Sequence, residues 1–188
     1  MRLSPVLADA DLSPAELQAA RLDGEVYDLA GAFCLIGELE SPAHRARAVL
    51  QTRSPRLIAE LRTAAWIWGA ASEPLHLEFS VTPEARARLS PAHHIAVREI
   101  VYEEGDLELL GGYRVTTPLR TILDLARFAE PFDPAIVTRL AALAGLGPDD
   151  VRDALASRSG IPAKHRARAR LEAALTAFGG QAVRVLGG

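Results

Sequence analysis

The chain has 188 residues, 49% of them apolar and 24% charged, with a formal net charge of −3. That balance is enough to bury a real core, which excludes a disordered or fibrous class and predicts one domain or a small domain followed by a medium one. A single cysteine, Cys34, excludes an internal disulfide framework and a cysteine-built zinc site.

The N-terminus is too short and too quickly acidic for a signal peptide, and no apolar run approaches the ~20 residues needed to span a bilayer. A soluble, cytoplasmic protein without a membrane partner is expected. The net charge conceals segments of opposite sign. Residues 1–40 carry two arginines against eight acids, residues 41–70 carry five arginines against Glu60 alone, residues 71–112 are acidic, and residues 113–188 are basic. Lys164 is the only lysine beside twenty arginines.

In chain order, Leu3 to Ala8 reads as a short helix. Ser13 followed by Glu16 is a capping box that starts a second helix running to about Arg21. Glu25 to Leu29 and Ala32 to Ile36 are strand-like and joined by Ala30-Gly31, a turn dipeptide, which predicts a hairpin. Ser41-Pro42 and Ser54-Pro55 each predict a helix start, the first helix ending near Gln51 and the second near Trp68, before Gly69. Leu75 to Val81 alternates apolar and polar residues as a half-buried strand does. Ile95 to Tyr102 predicts another strand, and Leu107 to Val115, broken at Gly111-Gly112, a hairpin; one antiparallel sheet is expected from them.

Thr117-Pro118 predicts a further helix start, because the threonine hydroxyl can accept a free N–H of the first turn while proline lacks a donor where none is needed. Leu119, Ile122, Leu123 and Ala126 then form an apolar stripe, with Arg120, Thr121, Asp124 and Arg127 on the other side. Asp133-Pro134, Gly147-Pro148 and Ile161-Pro162 open three more helices, ending near Ala144, Ser157 and Phe178. Trp66 and Trp68, two apart on a helix, cannot share a face, so one is expected in the core and the other nearer the surface.

Two blocks carry a recognisable pattern: Arg114 to Arg127 (RVTTPLRTILDLAR) and Leu61 to Gly69 (LRTAAWIWG). Together they resemble the AbiEi-type antitoxins of type IV toxin–antitoxin systems, over about Leu12 to Arg170. That family joins an N-terminal winged helix-turn-helix to an antitoxin domain. Gly24 and Gly31-Ala32-Phe33 match the family's glycine at the helix end and its glycine-aromatic step in the wing. The resemblance implies autoregulation through operator DNA and neutralisation of a nucleotidyltransferase-like toxin. The expected fold is α+β: a winged-helix-like region over residues 1–40, then a mixed α+β domain over residues 41–188 with a small antiparallel sheet and C-terminal helices.

For operator binding, the candidate recognition helix offers Ser13, Gln18 and Arg21, and the basic segment adds Arg45, Arg47, Arg53 and Arg56, with His44 nearby. Glu16, Glu25 and Asp28 oppose a phosphate backbone. The alternative is a degenerate winged helix used only for packing or protein docking, since fold analogy does not transfer function. Arg120, Asp124 and Arg127 form a second candidate cluster, either partner-binding or a structural ion-pair network. The run from Lys164 to Arg170 reads as a solvated helix face.

Enzyme readings lack their residues. Neither GxGxxG nor GxxxxGK[ST] occurs, so no nucleotide cofactor is expected. There is no GxSxG elbow, and His44, His76, His93, His94 and His165 show no HExxH or other metal-ligand spacing. A restriction-type nuclease needs a catalytic lysine beside acids, and Lys164 lies in a helix. The expectation is a non-catalytic protein with no metal.

Overall fold

The computed structural model describes residues 4–88 and 97–185, and within them the fold is α+β: seven α-helices, a three-stranded antiparallel sheet and a five-stranded mixed sheet. The small sheet comes first. Strand β1 (Val6–Leu7), helix α1 (Pro14–Leu22), and the hairpin β2 (Val26–Leu29) and β3 (Ala32–Leu35) assemble with strand order β1-β3-β2. The turn between β2 and β3 puts both Ala30 and Gly31 at positive φ, which matches the twist of a two-residue hairpin.

The segment read as an N-terminal helix is this first strand instead. Val6 and Leu7 pair with Cys34 and Phe33. Their opposite faces are both covered: Val6 joins a core with Ala46 and Val49, whereas Leu7 packs with Leu17 of α1 and Val26. Tertiary pairing decides a segment this short.

Helix α2 (Pro42–Leu50) is capped by Ser41 and supplies Ala46, Ala48, Val49 and Leu50 to the core. The small sheet is therefore a thin layer with α1 on one face and α2 on the other. Only Leu17 of α1 is buried.

The expected long helix from Ser54-Pro55 is absent. Ser54 closes a turn, its carbonyl accepting from Leu57 N, and the chain enters β4 (Ile58–Ala59) before the shorter α3 (Leu61–Ile67). Strand β4 lies at the centre of the large sheet, antiparallel to β5 (Phe79–Val81) and parallel to β8 (Tyr113–Thr116). With β6 (Val97–Glu99) parallel to β5 and β7 (Leu107–Leu110) antiparallel to β8, the order is β6-β5-β4-β8-β7. The sheet is mixed, not the antiparallel one expected, because β4 pairs parallel with β8 and β5 pairs parallel with β6. Strand β5 is also shorter than its alternating pattern: Leu75 is exposed, and Phe79, Ser80 and Val81 are all buried, as in an interior strand covered on both faces. Residues 95 and 96 of the expected strand Ile95 to Tyr102, and His93-His94, lie outside the described residues.

Helix α4 (Pro118–Phe128) begins at Thr117, whose Oγ1 accepts from Arg120 N and donates to Gly105 O. Thr117→Ala should lower the unfolding free energy by about 1 kcal/mol in a urea titration, the usual worth of such a cap. Around α4 pack α3, α5 (Pro134–Leu143), α6 (Pro148–Ser157) and α7 (Lys164–Val185), which share one core with it. Because α4 is surrounded, its polar side is buried as well as its apolar stripe. The start of α7 is tied down more than a solvated face would be. Lys164 Nζ donates to Ala156 O and Arg158 O, and Arg170 donates to Ala126 O and Ala129 O at the end of α4. His165, Arg166 and Arg168 of the same run are exposed. No helix among the described residues is long and apolar enough to cross a membrane.

Candidate functional site

Helix α1 and the β2–β3 hairpin form one outward-facing unit. Ser13 is engaged as the N-cap: its backbone N–H donates to Glu16 Oε2 at 2.9 Å and its Oγ accepts from Glu16 N. The Ser13 hydroxyl, donating to Glu16 Oε2 at 2.6 Å, and then the Ser13 backbone N–H hold the Glu16 carboxyl below its ordinary value, so it carries its charge near neutral pH. Gln18 and Arg21 are exposed, and their side chains make no hydrogen bond or ion pair among the described residues. Glu25 and Asp28 are exposed in the hairpin.

The four basic-segment arginines do not share a partner. Arg45 pairs with Glu40, donates to Trp66 O at 3.0 Å and lies over the Trp66 ring. Arg47 donates to Val6 O at 3.1 Å and lies 3.8 Å from Asp11, joining α2 to β1 and to the turn that precedes α1. Arg53 turns back on Val49 O and lies over Phe79, and burial lowers its pKa. Arg56 lines a shallow cavity with Thr82, Glu84 and Arg114. Three of the four are thus committed to backbone carbonyls, a use of guanidinium that charge counting does not reveal. His44 is part-buried on α2.

The second candidate cluster is brought together and is larger than its sequence outline. Asp124 is fully buried; Oδ2 accepts from Arg120 Nε at 2.8 Å and Oδ1 from Arg127 Nη1 at 2.9 Å. Arg120 also donates to Asp106, which sits in the turn before β7 and takes two further bonds from Arg158. On the β6 side, Glu60 receives a two-pronged pair from Arg98 at 2.7 and 2.6 Å. Asp106, Arg158, Glu60 and Arg98 were missed by sequence reasoning, since nothing in their local spacing ties them to α4.

Two carboxyls of this network are driven in opposite directions. Burial opposes ionisation of Asp106, but Arg158, the Glu103 N–H and Arg120 outweigh it and leave its pKa lowered. Burial dominates at Glu60 and raises its pKa despite Arg98. The depressed Asp106 value means stability that is present above the ordinary aspartate range of ~4 and lost as pH falls through the folded-state pKa. Urea titrations from pH 6 to pH 2 should show an acid loss of stability that Asp106→Asn makes shallower by up to one proton, about 1.4 kcal/mol per pH unit. Superimposable slopes for the two proteins would contradict it.

The two recognisable sequence blocks meet here. Trp66 is buried and Trp68 part-buried, and the Trp68 indole donates to Thr116 O at 2.9 Å. Thr121 Oγ1 meets Thr116 Oγ1 at 2.7 Å and donates to Thr117 O. The threonines and tryptophan lock α3 and α4 to the end of β8.

No protein-family model matches the chain, and no curated protein matches it. Among solved structures, the chain is similar to that of the Rv2827c protein from Mycobacterium tuberculosis, with a TM-score of 0.46 and 18% identity, covering 91% of this chain and 72% of that one.

Proposed function

We propose that this chain is a non-catalytic, antitoxin-like transcriptional regulator that binds operator DNA of its own operon through α1 and the β2–β3 hairpin and neutralises a nucleotidyltransferase-like toxin. The observation that carries the DNA-binding part is the outward placement of α1: Leu17 is its one buried residue, with Ala20 part-buried beside it, while Gln18 and Arg21 stay unengaged and the helix leads directly into a two-residue-turn hairpin in a sheet of order β1-β3-β2. A helix presented this way beside a wing can enter a major groove without unfolding anything. The toxin partner rests on the resemblance of the blocks at Leu61 to Gly69 and Arg114 to Arg127.

Arg45, Arg47 and Arg53 are held by internal partners, so few phosphates would be neutralised. A mobility-shift titration on DNA from upstream of the gene should give a discrete shift at low salt whose affinity falls with a log–log slope of about −2 to −4 per protomer. No shift at low salt would overturn the reading.

A second reading, a protein-interaction module with a degenerate winged helix, is favoured by one observation: Leu22, Ile36 and Leu39, all in the N-terminal unit, are large apolar residues left exposed. It predicts no DNA shift at low salt and retained binding to a protein partner.

A further inference from the structure

The ion-pair network on α4 does more than close on itself. Between the segment after β6, the polar side of α4 and the loop that joins α6 to α7 lies a cavity of about 300 Å³. Arg98, Arg120, Arg127 and Arg158 all line it. Their buried counter-ions are three, Glu60, Asp106 and Asp124, so the four guanidiniums exceed the carboxylates behind them by one positive charge. Glu99 and Glu103 stand on the lining as well, so the excess belongs to its buried floor and not to the lining as a whole; both are exposed, Glu103 lying 3.9 Å from Arg158, and water screens them.

The donor inventory is unequal to the acceptors. Arg98 uses Nε and Nη2 on Glu60; Arg120 uses Nε on Asp124 and Nη1 on Asp106; Arg127 uses Nε on Pro162 O and Nη1 on Asp124. Nη1 of Arg98 and Nη2 of Arg120 and Arg127 therefore donate to nothing among the described residues. The same guanidiniums are fixed in place. Arg98 and Arg127 lie 4.5 and 4.4 Å from the centroid of the one Phe128 ring, and Arg120 lies 4.7 Å from that of Tyr102. Planar forks locked by stacking and by carboxylates behind them lose little freedom when an anion arrives.

We infer that this cavity binds a phosphoryl group, either free inorganic phosphate or the phosphate end of a nucleotide, with the unengaged N–H groups of Arg98, Arg120 and Arg127 as donors. The ligand class follows from the fork geometry, which suits a tetrahedral oxyanion with several oxygens. The site is separate from α1 and its hairpin and stands or falls independently of DNA binding.

The test leaves the ion pairs untouched. Val101 lines the cavity and is 75% exposed, so Val101→Glu places a negative charge at the mouth without disturbing the core, and Val101→Gln supplies the same shape uncharged. Thermal unfolding of the full chain is followed with inorganic phosphate and with adenosine monophosphate, against sodium chloride at matched ionic strength. At least one of the two should raise the wild-type midpoint above the chloride control, and which one does so identifies the source. Val101→Gln should keep the rise. Val101→Glu should weaken the apparent affinity by about tenfold, as one added like charge roughly 10 Å away does at intermediate dielectric. The ³¹P line of the effective probe should broaden with wild type and far less with Val101→Glu. No rise above chloride with either probe, or an equal rise in Val101→Glu, overturns the proposal.

Discussion

Asp124→Ala is expected to lower the unfolding free energy by about 3–5 kcal/mol, the cost of leaving buried charge without its counter-ion. The carboxylate is wholly out of solvent and takes one charged hydrogen bond on each oxygen. Its removal is unequal for the two arginines. Arg120 keeps Asp106, whereas Arg127 is left with the Pro162 carbonyl and the Phe128 ring. For a chain of this size such a loss is a large share of a total that is usually about 5–15 kcal/mol, and it should appear as a fall of roughly 10 °C in the thermal midpoint.

The same substitution does not say that the network is a net source of stability, because desolvating three charges is itself costly. A triple variant, Arg120→Met with Asp124→Leu and Arg127→Met, separates the two statements. If it regains most of the loss, the network's contribution is geometric, holding α4 in one orientation under β7 and α7. If Asp124→Ala alone costs less than about 1 kcal/mol in urea titrations, water reaches the arginines and the burial argument fails.

Elements with a local chemical signature were legible in the sequence. Ser13 with Glu16, Thr117 with Pro118 and Asp133 with Pro134 each start a helix at the expected residue, and Gly111-Gly112 closes the β7–β8 hairpin. Elements created by distant partners were not. Ile58 and Ala59 form a strand only because Ser80 and Phe79 lie on one side and Arg114 and Val115 on the other. Ser54-Pro55 in front of them imitates a helix cap.

The site divides along the same line. Arg120, Asp124 and Arg127 are spaced three and four apart on one helix, so periodicity alone brings them together. Asp106 and Arg158 close over them from other elements, which no local spacing encodes. Charge counting misled most at Arg45, Arg47 and Arg53. An arginine in a basic segment looks the same whether its guanidinium faces solvent or reaches a carbonyl, and here the carbonyls of Trp66, Val6 and Val49 take them.

That difference sets the other large expected effect, on DNA affinity. If α1 is the reading element, Arg21 is its phosphate contact, and each such contact contributes a factor of about five at an ionic strength of about 0.15 M through counterion release. Arg21→Ala should therefore weaken binding by about fivefold, and Arg21→Glu, which adds repulsion, by roughly thirtyfold. Gln18→Ala should alter the ranking of operator variants while leaving the salt slope unchanged, since an amide reads bases and neutralises nothing. Arg47→Ala should do the reverse of what its charge suggests. It removes a charged bond to Val6 O, costing about 1–2 kcal/mol of stability, and changes DNA affinity less than twofold. Equilibrium titrations at two salt concentrations, run beside urea denaturation of each variant, distinguish these effects. An Arg47→Ala protein of wild-type stability with a thirtyfold loss of affinity would move the interface from α1 to α2, because only an arginine free to leave Val6 could have been neutralising a phosphate.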